Sequence, residues 1–338
     1  MVHLRIVVPS HNAEHALDLL NATPSVINLI YLERAAHKPE GDVILCDVAR
    51  EDASVIVSDL KEFGIHKEGS IAIEHIDSEI SDAAKRAEQA AVGLPSDAVV
   101  WEEVESRTSE NTELSASFLL FMALACLIAS VGILLDSPIL IIGAMVVGPE
   151  FGPIAGLCVA AVQRRADLVK RSLLPLLIGF PLGITAAFLF SLAIKGLDLT
   201  PSGFSAEDHP FTQFISHPDE FSFIVAVFAG TAGVLSLTSA KSGALVGVLI
   251  SVTTIPAAAN IGLAAAYGDG DEWRGAMEQL AVNLSAILLA GIVTLFIQRR
   301  LYQRRRRAHL QHEAREVAGL PMGRSRREME VGGASPPD

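Results

Sequence analysis

The chain has 338 residues, of which 50% are hydrophobic, with a mean hydropathy of +0.41 and a net charge of −13. That is too apolar for an ordinary soluble protein of this size, so membrane spans are the first expectation. Residues 1 to 115 hold 9 Lys/Arg against 22 Asp/Glu, and the remainder holds 17 of each; an acidic head on a balanced apolar body argues against nucleic acid as a partner.

Residues 1–77 read as a soluble α+β unit. Leu4–Val8 is a short β-rich run ended by Pro9. Ser10 can cap a helix through Ala22, with Ala16, Leu19 and Leu20 as its apolar face. Val26–Leu32 and Asp42–Val48 follow as strands, Asp52–Phe63 as a second helix closed by Gly64, and Ser70–Ile76 as a fourth strand. The order βαββαβ is that of a ferredoxin-like cytoplasmic domain. The N-terminus has no basic region followed by a long apolar stretch, so no cleaved signal peptide is expected. Cys46, Cys126 and Cys158 lie in apolar runs and read as small packing residues.

Residues 78–114 form a helical linker and amphipathic arm, with Trp101 suited to a membrane interface. From residue 115 to 301 six apolar segments follow, at about Ser115–Leu135, Pro138–Val162, Leu173–Ile194, Phe221–Leu237, Ser242–Tyr267 and Met277–Leu301. Each is long enough to cross roughly 30 Å of hydrocarbon as a helix. Basic joints carry Arg164, Arg165, Lys170, Arg171 and Lys241, and the end carries Arg304, Arg305, Arg306 and Arg307; the other joints are acidic or neutral. This alternation predicts a multi-pass protein of the plasma or inner membrane with both termini cytoplasmic. The basic residues Arg164, Arg165 and Arg304–Arg307 are expected to face lipid headgroups. Residues 302–338 read as a basic, largely disordered cytoplasmic tail.

Two spans are interrupted. The second holds "IGAMVVGPEFGP" (residues 142–153), and the fifth holds "GVLISVTTIP" (residues 247–256). Gly143 precedes Pro153 by ten residues and Gly247 precedes Pro256 by nine. Each run is the middle one of three, and three is odd, so the halves would form two inverted three-span repeats with broken middle helices. Paired Gly/Pro interruptions at matching positions point to a transporter-like core. Proline removes an N–H, so Pro149 would free the Met145 carbonyl, Pro153 that of Pro149, and Pro256 that of Val252. Gly148, Gly152 and Gly156 recur every fourth residue and would permit close helix approach. Glu150 is an acid at membrane depth, which costs at least roughly 2.5 kcal/mol and marks a cavity or a partner. Thr253, Thr254, Asn260 and Asn283 supply further polar groups, so an ion or solute site is expected among these residues. Such an oxygen-rich set suits a hard cation, a proton or a small polar solute.

The motif His11-x-x-Glu14-His15 is better read as a solvated first helical turn than as a metal pair, and His209 and His217 as loop residues. No phosphate loop, hydrolase elbow or zinc spacing occurs, so no enzyme activity, cofactor or metal is expected. The stretches "ASVGILLDSPILIIGAMVVGPEFGPIAGL", "GALVGVLISVTTIPAAANIGLA" and "NLSAI" resemble the bacterial and archaeal membrane family labelled domain of unknown function 389, over about residues 115–300. The resemblance implies a polytopic membrane protein, often with a soluble N-terminal part, and no particular substrate. The expected function is a transporter or channel-like protein for a small ion or polar solute. Its partners would be the bilayer and that solute, with the head expected to sense a ligand and regulate transport or to mediate assembly with further copies of the chain. The rival class is a non-transporting sensor or scaffold whose head recruits cytoplasmic partners.

Overall fold

A computed structural model of the chain describes residues 1–76, 78–91, 99–201, 219–239 and 246–325, with the backbone alone at 107, 110, 111 and 246–253. Two units emerge: Met1–Val104 together with the chain from Gln298 onward, and Glu105–Ile297.

In the first unit, alternating apolar residues make the sheet. Strand β1 (Val2–Val8) buries Val2, Leu4, Ile6 and Val8 on one face, because successive side chains of a strand point to opposite sides. After it come α1 (Ser10–Asn21), β2 (Val26–His37), β3 (Glu40–Val48), α2 (Arg50–Glu62), the short α3 (Ile65–Glu68) and β4 (Ser70–His75). All neighbouring strands are antiparallel, in the order β2-β3-β1-β4. This is the strand order expected from βαββαβ, each crossover passing over one intervening strand. Ala16, Leu19 and Leu20 of α1 and Ile56, Val57 and Leu60 of α2 close the core over Ile44, Cys46 and Val48. Burial pushes the Cys46 thiol up to about 12, so it acts as a packing group. Gly64, with φ 80°, ends α2 as expected. Ser10 is not the cap of α1: Pro9 holds that position, and the Ser10 hydroxyl donates to Asp42 across the sheet end.

Three expectations for this unit change. Helix α4 (Asp82–Ala90) is shorter than the polar segment suggested and is capped by Ser81. Trp101, which opens α5 (Trp101–Asn111), is buried, its ring 6.2 Å from that of Tyr302. It is core, not a membrane-interface anchor. The segment after residue 302 is not a loose tail through residue 325. Helix α12 (Gly270–His309) runs on to His309, and α13 (Glu313–Val317) follows. Ala314 and Ala318 enter the same core as α1. Here the guanidinium groups of Arg306 and Arg315 and the ring of His309 converge on Asp59, which is fully buried. Arg306 and Arg315 also reach the Glu62 carboxylate at 2.7 and 3.1 Å. Arg305 donates to the Glu51 carbonyl at 2.7 Å. Arg305 and Arg306 therefore do not face lipid; Arg304 and Arg307 are exposed.

The second unit is helical. Its helices are α6 (Ala116–Leu134), α7 (Pro138–Val147), α8 (Phe151–Gln163), α9 (Ala166–Gly196), α10 (Glu220–Thr238), α11 (Val246–Tyr267) and most of α12. Among the described residues, four helices (α6, α9, α10 and α12) are long and apolar enough to cross a membrane, and the α7–α8 pair makes a fifth if it is one span. These apolar helices point to a membrane protein. Directions follow from contacts at glycines, where a missing side chain lets helices approach. Gly179 sits against Phe118 and Met122, and Gly183 against Met122 and Cys126, so α9 runs alongside α6 in the same direction. Gly262 sits against Ile184 and Ala187, and Lys195 donates to the Ala266 carbonyl at 3.2 Å, so α11 runs with α9. Gly230 lies on Ile287, and Val234 on Gly291, so α10 runs with α12. The bent pair begins just after the end of α6; Gly156, within α8, meets Thr112, and Arg165, just past α8, pairs with Glu105, both ahead of α6 in the chain.

Candidate functional site

The break between α7 and α8 has a local cause. A residue before proline is pushed out of helical geometry, and Gly148, ahead of Pro149, is extended at ψ 127°. Pro175, Pro181 and Pro256 also follow non-glycine residues, yet α9 and α11 continue through them. A single proline removes one hydrogen bond and is tolerated inside a helix; at Gly148-Pro149 the extended glycine ends α7, whereas Gly152-Pro153 falls in the first turn of α8. The two halves are bent by 56°. The expected second broken helix is therefore absent: α11 is one helix of 22 residues with Pro256 inside. Pro153 frees nothing within α8 either. It stands in the first turn, where N–H groups have no intrahelical partner in any case.

Glu150 begins α8 with no exposed surface. Its Oε1 accepts a 2.8 Å hydrogen bond from the Thr254 hydroxyl of α11, 104 residues away. The carboxylate folds back against the break. A Cβ built on Gly148 would lie 2.5 Å from Glu150 Oε2, 3.2 Å from Oε1 and 2.8 Å from Ile255 Cγ1. Gly148 is thus required twice, for the close approach of the carboxylate and for that of α11. Cys126 of α6 lies within electrostatic reach of the same carboxylate.

Of the residues expected at the site, the structure joins Glu150 and Thr254 and buries Met145, Pro153 and Pro256 around them; Pro149 is half-buried. Val252 and Thr253 lie where side chains are outside the described residues, as does the packing of Gly247. Asn283 is fully buried on α12. Asn260 turns elsewhere: its amide donates to Glu272 Oε2, on the first turn of α12, at 3.2 Å. Glu272 is not among the residues the sequence put forward for the site, so this contact was missed. The signal was its position opening an apolar helix, close in sequence to Asn260. The glycines divide as well. Gly156 packs closely against Ser172 and Thr112, Gly152 is half-buried, and Gly143 is exposed with nothing near it. Gly148 lies in the break, so the three expected glycines do not form one helical stripe. Arg164 is exposed in a left-handed turn, while Arg165 pairs with Glu105 and Asp167. His11 and His15 do not come together: His15 stacks on Phe63, and His11 lies 3.9 Å from Glu68. His209 and His217 fall outside the described residues.

No solved structure matches this chain. It is 28% identical over 195 residues to an uncharacterized protein of Methanocaldococcus jannaschii, and the match covers 58% of each chain. The chain thus spans less than two thirds of that relative's length. Residues 145–289 match the family described as Domain of unknown function (DUF389), a stretch that begins at the broken helix and holds Glu150, Thr254, Asn260 and Glu272.

Proposed function

We propose that the protein is a membrane transporter or channel-like protein for a small ion or polar solute, working at the contact of the broken second span with the fifth. The observation that carries this reading is the buried Glu150 carboxylate held by Thr254 at a helix break. Acids inside membrane segments are costly and concentrate on ion and proton paths. In this reading α6 to α12 form six spans, with the bent pair as the second. The first three and last three run in opposite senses, as inverted halves do. In this reading the positive-inside rule puts the basic turn at Arg164 and Arg165 on the cytoplasmic side, and with it both termini and the ferredoxin-like head. One observation favours the rival class, a scaffold that recruits partners through its head: Glu150 is sealed from solvent. An occluded transporter and a packed scaffold both seal the acid, and flux separates them. Purified protein in liposomes is expected to pass sodium, potassium, protons or a small solute, and Glu150→Gln to lose at least tenfold of that flux. Equal flux through Glu150→Gln removes the site, and no flux of any tested species leaves the scaffold.

A further inference from the structure

The basic side chains divide by what they touch. In the head Arg50, Arg306 and Arg315 are held by carboxylates, and Arg305 donates to the Glu51 carbonyl. At the turn between α8 and α9, Arg165 is held as well. It pairs with Glu105, and with Asp167 at 2.7 Å. Its neighbours Arg164, Lys170 and Arg171 are exposed, and none of the three has a carboxylate partner among the described residues. The acid between them in the chain, Asp167, is already matched by Arg165. Three cations therefore stand unmatched at this turn.

Helix α9 sets the surface on which they stand. Leu168, Ser172, Leu176 and Phe180 recur every fourth residue and are buried, since residues three and four apart share a helix face. Lys170 and Arg171 lie on the opposite face. One and two turns further along that face are Leu174, Leu177 and Ile178, which are 49%, 62% and 38% exposed. No charged residue stands between Arg171 and Lys195, 24 residues later. That is about 36 Å along a helix, a little more than the roughly 30 Å of hydrocarbon in a bilayer. The cations thus end where the apolar surface begins, at the depth of the headgroups. At the far end of α9 the matching cation is used by the protein itself. Lys195 donates to the Ala266 carbonyl at 3.2 Å and lies over the Tyr267 ring.

A soluble phosphate and a phospholipid offer these cations the same oxygens. The exposed Leu174, Leu177 and Ile178 decide between them, because a soluble anion gains nothing from apolar side chains and an acyl chain does. A zwitterionic headgroup brings its own cation and leaves the surplus at the turn unmatched; an anionic one does not. We propose that Arg164, Lys170 and Arg171 bind the headgroup of an anionic phospholipid, whose acyl chains lie along Leu174, Leu177 and Ile178. The site needs α9 to lie in a bilayer and is independent of the transport reading.

The test titrates the full chain, purified in a neutral detergent, with a fluorescent phosphatidylglycerol. Each Lys or Arg near an anionic surface favours binding roughly fivefold, so Arg164→Gln combined with Lys170→Gln and Arg171→Gln is expected to weaken it at least roughly tenfold. Lys38→Gln combined with Lys67→Gln and Arg86→Gln removes the same charge from exposed positions of the head and is expected to leave the affinity unchanged. Unlabelled phosphatidylglycerol is expected to displace the probe, and phosphatidylcholine or glycerol phosphate at the same concentration to leave it bound. Unchanged binding in the first variant overturns the proposal. Equal loss in both variants shows an effect of net charge alone and overturns it too. Displacement by glycerol phosphate makes the site one for a soluble anion, and displacement by phosphatidylcholine makes the contact one of acyl chains alone; either result overturns the assignment to an anionic lipid. Because the three side chains are exposed, both variants are expected to melt in detergent at the wild-type temperature, which shows that lost binding is not lost folding.

Discussion

At the scale of single residues, Gly148 and Thr254 do different work for one carboxylate. Gly148→Ala inserts a methyl group where Glu150 and Ile255 already sit, and overpacking of this kind costs about 1–3 kcal/mol. A lower melting temperature in detergent is the expected result, with loss of any Glu150-dependent flux. Thr254→Val keeps the shape and removes the donor to a buried acceptor, a loss of about 1–3 kcal/mol. Thr254→Ser keeps the hydroxyl and is expected to stay near wild type in the same melt. In the head, neither oxygen of the buried Glu51 carboxylate has a hydrogen-bond partner among the described residues, and burial holds its pKa above the ordinary value. Its folded value lies above its unfolded one, so the folded state binds more protons between the two. Stability is expected to fall as pH rises through that window. Thermal unfolding from roughly pH 4 to 8, spanning the glutamate reference value, should show this fall in wild type and flatten it in Glu51→Gln.

At the scale of elements, the break was legible as an anomaly and its geometry was not. "GPEFGP" signalled interruption, and Gly-Pro placed it. That α11 would carry Pro256 unbroken could not be read from the proline alone, because helix continuity depends on the residue ahead of it and on packing along the whole face. Glu150 and Thr254 were both named from sequence; their contact was not, since residues 104 apart meet only through tertiary structure. The turn into α12 hid Glu272, whose partner Asn260 lies a helix earlier. The C-terminal segment misled for another reason. Arg304–Arg307 is a charge run, and a run usually means solvent or lipid headgroups. Here one member of it, Arg306, meets Asp59 and Glu62, carboxylates distant in sequence, and Arg305 donates to the Glu51 carbonyl. Arg315→Ala leaves Asp59 and Glu62 short of a buried cation, and removing one partner of a buried pair costs about 3–5 kcal/mol. Faster hydrogen exchange in α2 and α13 is the expected readout; unchanged exchange would show that the pair contributes nothing measurable.

At the scale of the whole molecule, the acidic head and apolar body were separable by composition, and strand order in the head followed from alternation of apolar residues. The shared direction of α6, α9 and α11, and of α10 and α12, rests on close contacts at glycines, which no single-sequence pattern reveals. Orientation is open to direct measurement, because Cys46, Cys126 and Cys158 are all buried and give little background. A membrane-impermeant maleimide applied outside intact cells is expected to label Asp198→Cys and spare Arg164→Cys. The reverse pattern would invert the topology and place the head outside the cytoplasm.

If the halves are inverted repeats as proposed above, the meeting of Glu150 and Thr254 also concerns symmetry. Gly143 and Gly247 are 104 residues apart, and so are Glu150 and Thr254. Two residues at equivalent places in inverted halves can touch only where an approximate dyad passes between them. The acid and the hydroxyl would then be one position seen twice, occupied by different chemistry in each half. Which half carries the acid becomes a choice that exchange should tolerate. Glu150→Thr alone is expected to lose flux, and Glu150→Thr combined with Thr254→Glu to recover it, with the preferred direction of transport reversed.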